Sequence, residues 1–228
     1  MKQLPLGLRL PAYAVFDSFA IGRNTEIVAA LRDSSITPLW LWGARGSGKT
    51  HLLQATCAAA AGAGAYFSLD PSLGLPPEAL TGFERARVLC VDDVDKIAGV
   101  AAWERALFQL FNAAGELATK LVFAADLAPR QIEWRLEDWR SRAGACVVYQ
   151  LQELDDAGRS EALRLRAAQR GLQLPPETCD YLLKRMPRDL PSLCKILDEL
   201  DEASLVAQRR LTIPFIRAAL ERHAETKP

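Results

Sequence analysis

Gly43-Ala44-Arg45-Gly46-Ser47-Gly48-Lys49-Thr50 is a complete G-x-x-x-x-G-K-[ST] phosphate-binding loop. Its glycines let the backbone close around an anion, so that successive N–H groups point at it. The pattern assigns Lys49 to the β- and γ-phosphates of a nucleotide and the Thr50 hydroxyl to Mg2+. The flanking sequence fits. Pro38-Leu39-Trp40-Leu41-Trp42 reads as a short buried strand, and Thr50 to Ala61 as an alanine-rich helix. The helix N-terminus adds partial positive charge where the phosphates would lie. The expected nucleotide-binding set is Gly43, Arg45, Gly46, Ser47, Gly48, Lys49, Thr50 and the adjoining His51.

The rest of the composition narrows the class. The 228 residues are 50% hydrophobic and 25% charged, enough for one large or two modest domains. Lysine plus arginine equals aspartate plus glutamate at 28 each, so no global field draws the chain to nucleic acid or to a membrane surface. Cys57, Cys90, Cys146, Cys179 and Cys194 form no C-x-x-C pair and are joined by only two histidines, which argues against zinc. Their apolar settings suit buried thiols in a reducing cytosol. Thr50 to Leu69 carries no charge, but a helix followed by a buried strand explains it better than a membrane span. Pro5, Gly7 and Pro11 break the N-terminal region, so no signal peptide is expected and the cytoplasm is the expected location.

Outward from the loop, short apolar runs alternate with helical patterns. Ala65-Tyr66-Phe67-Ser68-Leu69, Arg87 to Asp93, Leu121 to Ala125 and Cys146-Val147-Val148-Tyr149 read as strands, and Ala101 to Leu117 as a helix. Fully apolar strands between helices predict a parallel sheet covered on both faces. After residue 150 helices dominate. Asp155 or Asp156 caps one that ends at Arg170-Gly171, Pro175-Pro176 starts a second, and Leu190, Leu193, Leu197 and Leu200 stripe a third. The fold class is therefore α/β: a P-loop domain with a parallel sheet, followed by a small all-helical domain.

Asp92 and Asp93 follow an apolar strand about forty residues after the loop, where a nucleoside triphosphatase carries its second motif. Asp92 is expected to hold Mg2+ together with Thr50, and Asp93 to orient or deprotonate the attacking water. Asp95 is expected to be a surface or capping residue. By themselves, Arg140-Ser141-Arg142 read as a solvated basic turn and Arg188 as an unremarkable residue at a helix start.

From about residue 13 almost to the C-terminus the chain resembles AAA+ ATPases of the bacterial replication-initiator DnaA clade. Phe16-Asp17-Ser18-Phe19 with Ile21-Gly22-Arg23-Asn24 is similar to the clade's N-terminal box, which implies adenine contacts from Ile21 and Gly22. The loop and Asp92-Asp93 match its Walker motifs. Ala125 to Pro129 resembles sensor I, with Asp126 as the sensor. Trp139 to Arg142 resembles the arginine-finger box, with Arg142 in that place. Met186 to Leu190 resembles sensor II, so Arg188 would reach the nucleotide from a helical lid. The resemblance implies ATP or ADP with Mg2+ as cofactors and residues 13–152 and 153–228 as AAA+ and lid domains.

Residues 1–12 are expected to be an arm, in which Gln3-Leu4-Pro5-Leu6-Gly7-Leu8 resembles a peptide that docks on the DNA polymerase III β sliding clamp. Gln3, Leu4, Leu6 and Leu8 would make that contact. The few residues after the expected helix 213–223 leave no room for a helix-turn-helix, so direct sequence-specific DNA binding is not expected. These features imply a clamp-associated regulator that promotes ATP hydrolysis by DnaA, with self-association possible through AAA+ surfaces. The alternatives are an autonomous ATPase remodelling or loading a replicative helicase, and an adaptor holding ADP as a structural ligand.

Overall fold

A computed structural model describes residues 14–186, 189–207 and 211–218. The chain divides between Glu153 and Leu154 into two compact units.

The first unit runs α1 (Thr25–Arg32), β1 (Leu39–Trp42), α2 (Lys49–Ala59), β2 (Gly64–Ser68), β3 (Val88–Asp92), α3 (Ala101–Glu116), β4 (Lys120–Ala125), α4 (Glu137–Gly144) and β5 (Val147–Gln150). The strands form one parallel sheet in the order β2-β3-β4-β1-β5. Successive residues of a strand face opposite sides, and β3 shows how both sides are used. Val88 and Cys90 join Leu39, Leu41, Val122 and Ala124 under α1 and α2, against Ile27, Leu31, Leu52 and Leu53. Leu89 and Val91 join Trp40, Phe67 and Phe123 under α3 and α4, against Leu107, Leu110, Ala114 and Trp139. Burying a side chain such as Leu89 stabilises the fold by about 2 kcal/mol.

The expectation of strands covered on both faces fails at β5. This edge strand pairs only with β1, and Val147 and Val148 stay 44% and 42% exposed. Two apolar residues in succession point to opposite sides of a strand, and at an edge neither side needs to be covered.

Lys120, at the start of β4, is buried, and its ammonium donates to the carbonyls of Ala30, Leu31 and Asp33. It thereby satisfies the open C-terminal carbonyls of α1. Burial pushes its pKa below the usual lysine value.

The second unit holds α5 (Asp156–Gln169), α6 (Pro176–Arg185), α7 (Leu190–Ala207) and helical residues 213–218. Asp155 caps α5, its Oδ1 accepting the Gly158 N–H at 2.8 Å. Gly171, just beyond α5, takes the left-handed φ of +71° that favours glycine. Leu193, Leu197 and Leu200 face Leu163, Leu182 and Ile216. Arg166 of α5 and Arg170 at its C-terminal cap bridge to α7: Arg166 to Asp198 at 3.2 Å, and Arg170 to Asp198 at 2.8 Å and Asp201 at 3.2 Å. Among the described residues, no helix is long and apolar enough to cross a membrane.

Candidate nucleotide site

The loop leaves β1 at Trp42 and enters α2 at Lys49, at the end of the sheet where the strands finish. Gly48 has a φ of +105°, and a Cβ there would lie 2.8 Å from the Phe19 ring, so both backbone and packing require glycine. The Lys49 ammonium donates to Gly43 O at 2.7 Å and Ala44 O at 3.1 Å, and pairs with Asp126 Oδ1 at 2.8 Å. Register explains the last contact. Trp42 is level with Ala125, so Asp126 leaves β4 beside the point where the loop leaves β1. Arg45 is exposed on the loop. His51 Nε2 lies 3.0 Å from Val15 O and 3.2 Å from Ser18 Oγ, joining α2 to the segment before α1.

The carboxylates gather at the end of β3. Asp92 is 2% exposed; its Oδ2 accepts the Thr50 hydroxyl at 2.6 Å and the Tyr66 hydroxyl at 2.9 Å, and its Oδ1 accepts the Asp93 N–H at 3.0 Å. Burial raises its pKa above the ordinary carboxylate value, while the Thr50 hydrogen bond pulls the other way. Asp93 sits at a φ of +61°, a conformation that costs a non-glycine residue about 1 kcal/mol. Its Oδ2 accepts the Ser68 hydroxyl at 2.9 Å, and its Oδ1 pairs with Lys96 Nζ at 2.9 Å. Asp95 departs from its expected surface role. It is half-buried, its Oδ1 accepts the Asp126 N–H at 3.3 Å, and burial raises its pKa. The motif spacing gave no signal for Tyr66, Ser68 or Lys96, which the sheet brings to the two aspartates.

The residues present fit a magnesium-bound nucleotide. Ser47 Oγ is buried with no hydrogen-bond partner in the structure, an open donor inside the loop. Among the described residues, the buried Lys49 ammonium has two carbonyls and the Asp126 carboxylate as acceptors, on the loop that a phosphate would enter. Thr50 and Asp92 already share one hydrogen bond, the pairing expected of a hydroxyl and a carboxylate on one Mg2+.

Ile21 is exposed, and Gly22 makes a left-handed turn before α1. Their neighbour Asn24 is buried and grips the backbone of Gln152 from both sides, donating to its carbonyl at 3.0 Å and accepting its N–H at 2.8 Å. Asn24 lies within the N-terminal box, where the sequence alone carries no signal of this role.

Arg142 lies in the last turn of α4 rather than in the expected turn. Trp139 and Ala143 face inward; Arg142 is exposed, its guanidinium 5.8 Å from the Phe111 ring and 6.0 Å from that of Phe108. Because α4 leads into the start of β5, Arg142 lies towards the end of the sheet opposite the phosphate loop. The four residues of β5 alone span about 13 Å.

Glu104 of α3, fully buried, was not anticipated. It accepts the N–H groups of Gly99 at 2.7 Å, Arg135 at 3.1 Å and Leu136 at 2.6 Å, tying the segment after Asp92-Asp93 to the start of α4. Gln3, Leu4, Leu6, Leu8 and Arg188 lie outside the described residues.

The solved structures that share this architecture include domain III of the Thermotoga maritima replication initiation protein DnaA, at TM-score 0.78 and 21% identity, covering 94% of this chain and 98% of that one. AMPPCP-bound DnaA from Aquifex aeolicus matches at TM-score 0.66 and 24% identity, over 84% of this chain and 67% of that one. The Thermotoga maritima RuvB Holliday junction branch migration motor matches at 0.62 and 17%, over 87% and 69%. Residues 156–220 match the family model of the Hda lid domain. The chain has a DnaA-like AAA+ fold, and its helical unit matches the Hda lid.

Proposed function

We propose that this chain is a sliding-clamp-associated AAA+ regulator that promotes ATP hydrolysis by DnaA and so represses re-initiation of chromosome replication in the cytoplasm. The observation that carries the reading is the position of Arg142, exposed on α4 towards the end of the sheet opposite the chain's own phosphate loop. An arginine so placed serves another protomer's nucleotide better than its own. The Hda lid match and the likeness to DnaA support DnaA as the partner.

The chain's own site would hold ATP or ADP, as a DnaA of similar fold holds AMPPCP. Lys49 and the loop amides would take the phosphates, Thr50 and Asp92 the Mg2+, Ile21 and Gly22 the adenine, and Asp126 and Arg188 would sense the γ-phosphate. The bound cation would neutralise phosphate charge. Gln3, Leu4, Leu6 and Leu8 would dock the chain on the DNA polymerase III β clamp, and Arg142 would meet charge developing on the γ-phosphate of DnaA. An arginine supplied in trans contributes roughly 10³–10⁵-fold in rate.

The test is ATP hydrolysis by DnaA with this protein, DNA and DNA-loaded clamp. Arg142→Ala is expected to lower the stimulation by roughly 10²-fold or more, and Gln3→Ala to remove its dependence on the clamp. Full stimulation by a folded Arg142→Ala variant overturns the reading. Phosphate release by the chain alone, unaffected by DnaA, favours the autonomous helicase-remodelling ATPase.

A further inference from the structure

Four groups at the end of β2 and β3 close a ring. The Asp70 N–H donates to Ser68 Oγ at 3.2 Å, and the Ser68 hydroxyl donates to Asp93 Oδ2 at 2.9 Å. Asp93 Oδ1 pairs with Lys96 Nζ at 2.9 Å, and Lys96 pairs with Asp70 Oδ2 at 2.8 Å. Asp70 is itself held, its Oδ1 accepting the Ser72 N–H at 2.9 Å. The neighbouring Asp92 takes a hydrogen bond from Thr50 of the phosphate loop, whereas the bonds to Asp93 come from β2 and from its own turn.

We infer that Lys96 restrains this chain's own nucleotide hydrolysis by pinning Asp93 within that ring. The inference rests on the reading of Asp93 as the water-orienting carboxylate. Such a group needs an acceptor site turned towards the attacking water. Each oxygen of Asp93 already accepts one hydrogen bond, one of them from an ammonium that Asp70 anchors from its other side, so the carboxylate is held in one orientation and its remaining lone pairs do not turn freely to water.

A hydroxyl such as that of Ser68 is neutral and turns readily to another acceptor. The ion pair is the stronger restraint, because charge-assisted hydrogen bonds are roughly twice as strong as neutral ones. Hydrolysis joins the water oxygen to the γ-phosphorus and breaks the bridging P–O bond, its electron pair leaving on ADP. The water proton passes through Asp93 to the released phosphate. With Asp93 pinned, the chain keeps its nucleotide while Arg142 acts on a partner. Slow turnover is then a built property of the site, because the loop and both aspartates are in place.

The experiment measures single-turnover hydrolysis by the ATP-loaded full chain without DnaA, together with urea unfolding of the nucleotide-free protein. Lys96→Met is expected to speed hydrolysis at least about tenfold, and Asp93→Asn added to it to abolish the gain. Asp70→Asn, which loosens the same ammonium, gives a smaller gain and serves if Lys96→Met folds poorly. In unfolding, Lys96→Met and Asp93→Asn together should cost less than the sum of the two alone.

Hydrolysis at or below the wild-type rate in both Lys96→Met and Asp70→Asn overturns the inference, as does strict additivity in unfolding. A gain that survives Asp93→Asn overturns both the route through Asp93 and the role given to that residue. Stimulation of DnaA by the same variants reports separately on the trans-acting reading.

Discussion

Among the described residues, two dense charge clusters differ in balance. In the helical unit Arg166 and Arg170 face Asp198 and Asp201, two charges against two. At the end of the sheet Asp70, Asp92, Asp93, Asp95 and Asp126 gather around Lys49 and Lys96. The first cluster is electrostatically complete and joins α5 to α7. The second holds an excess of negative charge beside a phosphate-type loop. That excess fits a nucleotide accompanied by a cation. A balanced network indicates structure; an unbalanced one, with an open buried hydroxyl beside it, indicates a ligand.

Three changes test that contrast. Lys49→Ala leaves the acidic cluster without its buried ammonium and should weaken nucleotide binding about 100-fold, read by titration with a fluorescent ADP analogue in Mg2+. Unchanged affinity would break the comparison at its strongest point.

Asp92→Asn separates stability from function. Burial raises the folded pKa of Asp92 above its unfolded value, so its contribution to stability is full below the unfolded pKa and is lost as pH rises through the folded one. Above that range the buried carboxylate costs stability. The nucleotide-free Asn variant should be more stable by about 1 kcal/mol in urea unfolding, with the difference vanishing in acid, while its nucleotide affinity loses its dependence on Mg2+. The smallest effect belongs to the helical unit. Asp155→Ala removes the cap of α5 and should cost about 1 kcal/mol or less in thermal unfolding, with nucleotide affinity unchanged.

Local signals were readable in the sequence and non-local ones were not. The loop, the strand ending in Asp92-Asp93 and the cap and glycine that bound α5 are set by neighbours in the chain, and each forms as the residues predict. The position of Arg142 on a helix was missed, because Glu137 to Gly144 is too polar to show an apolar stripe, and two inward residues, Trp139 and Ala143, suffice to seat it. The exposure of Val147 and Val148 depends on strand order, which composition does not reveal. Asn24, Glu104 and Lys96 act through partners up to 128 residues away, and each resembles an ordinary surface residue in the sequence.

Glu104 has a consequence for the order in which the chain folds. Helix α4 spans eight residues, and Leu136 at its N-cap position offers no capping side chain. Helices that short do not persist in isolation. The N-terminal cap of α4 is lent by α3, through the Glu104 carboxylate on the Leu136 N–H. Formation of α4 thus waits for α3 to dock on the sheet. A partly folded or nascent chain carries Arg142 in its sequence without holding it on a helix.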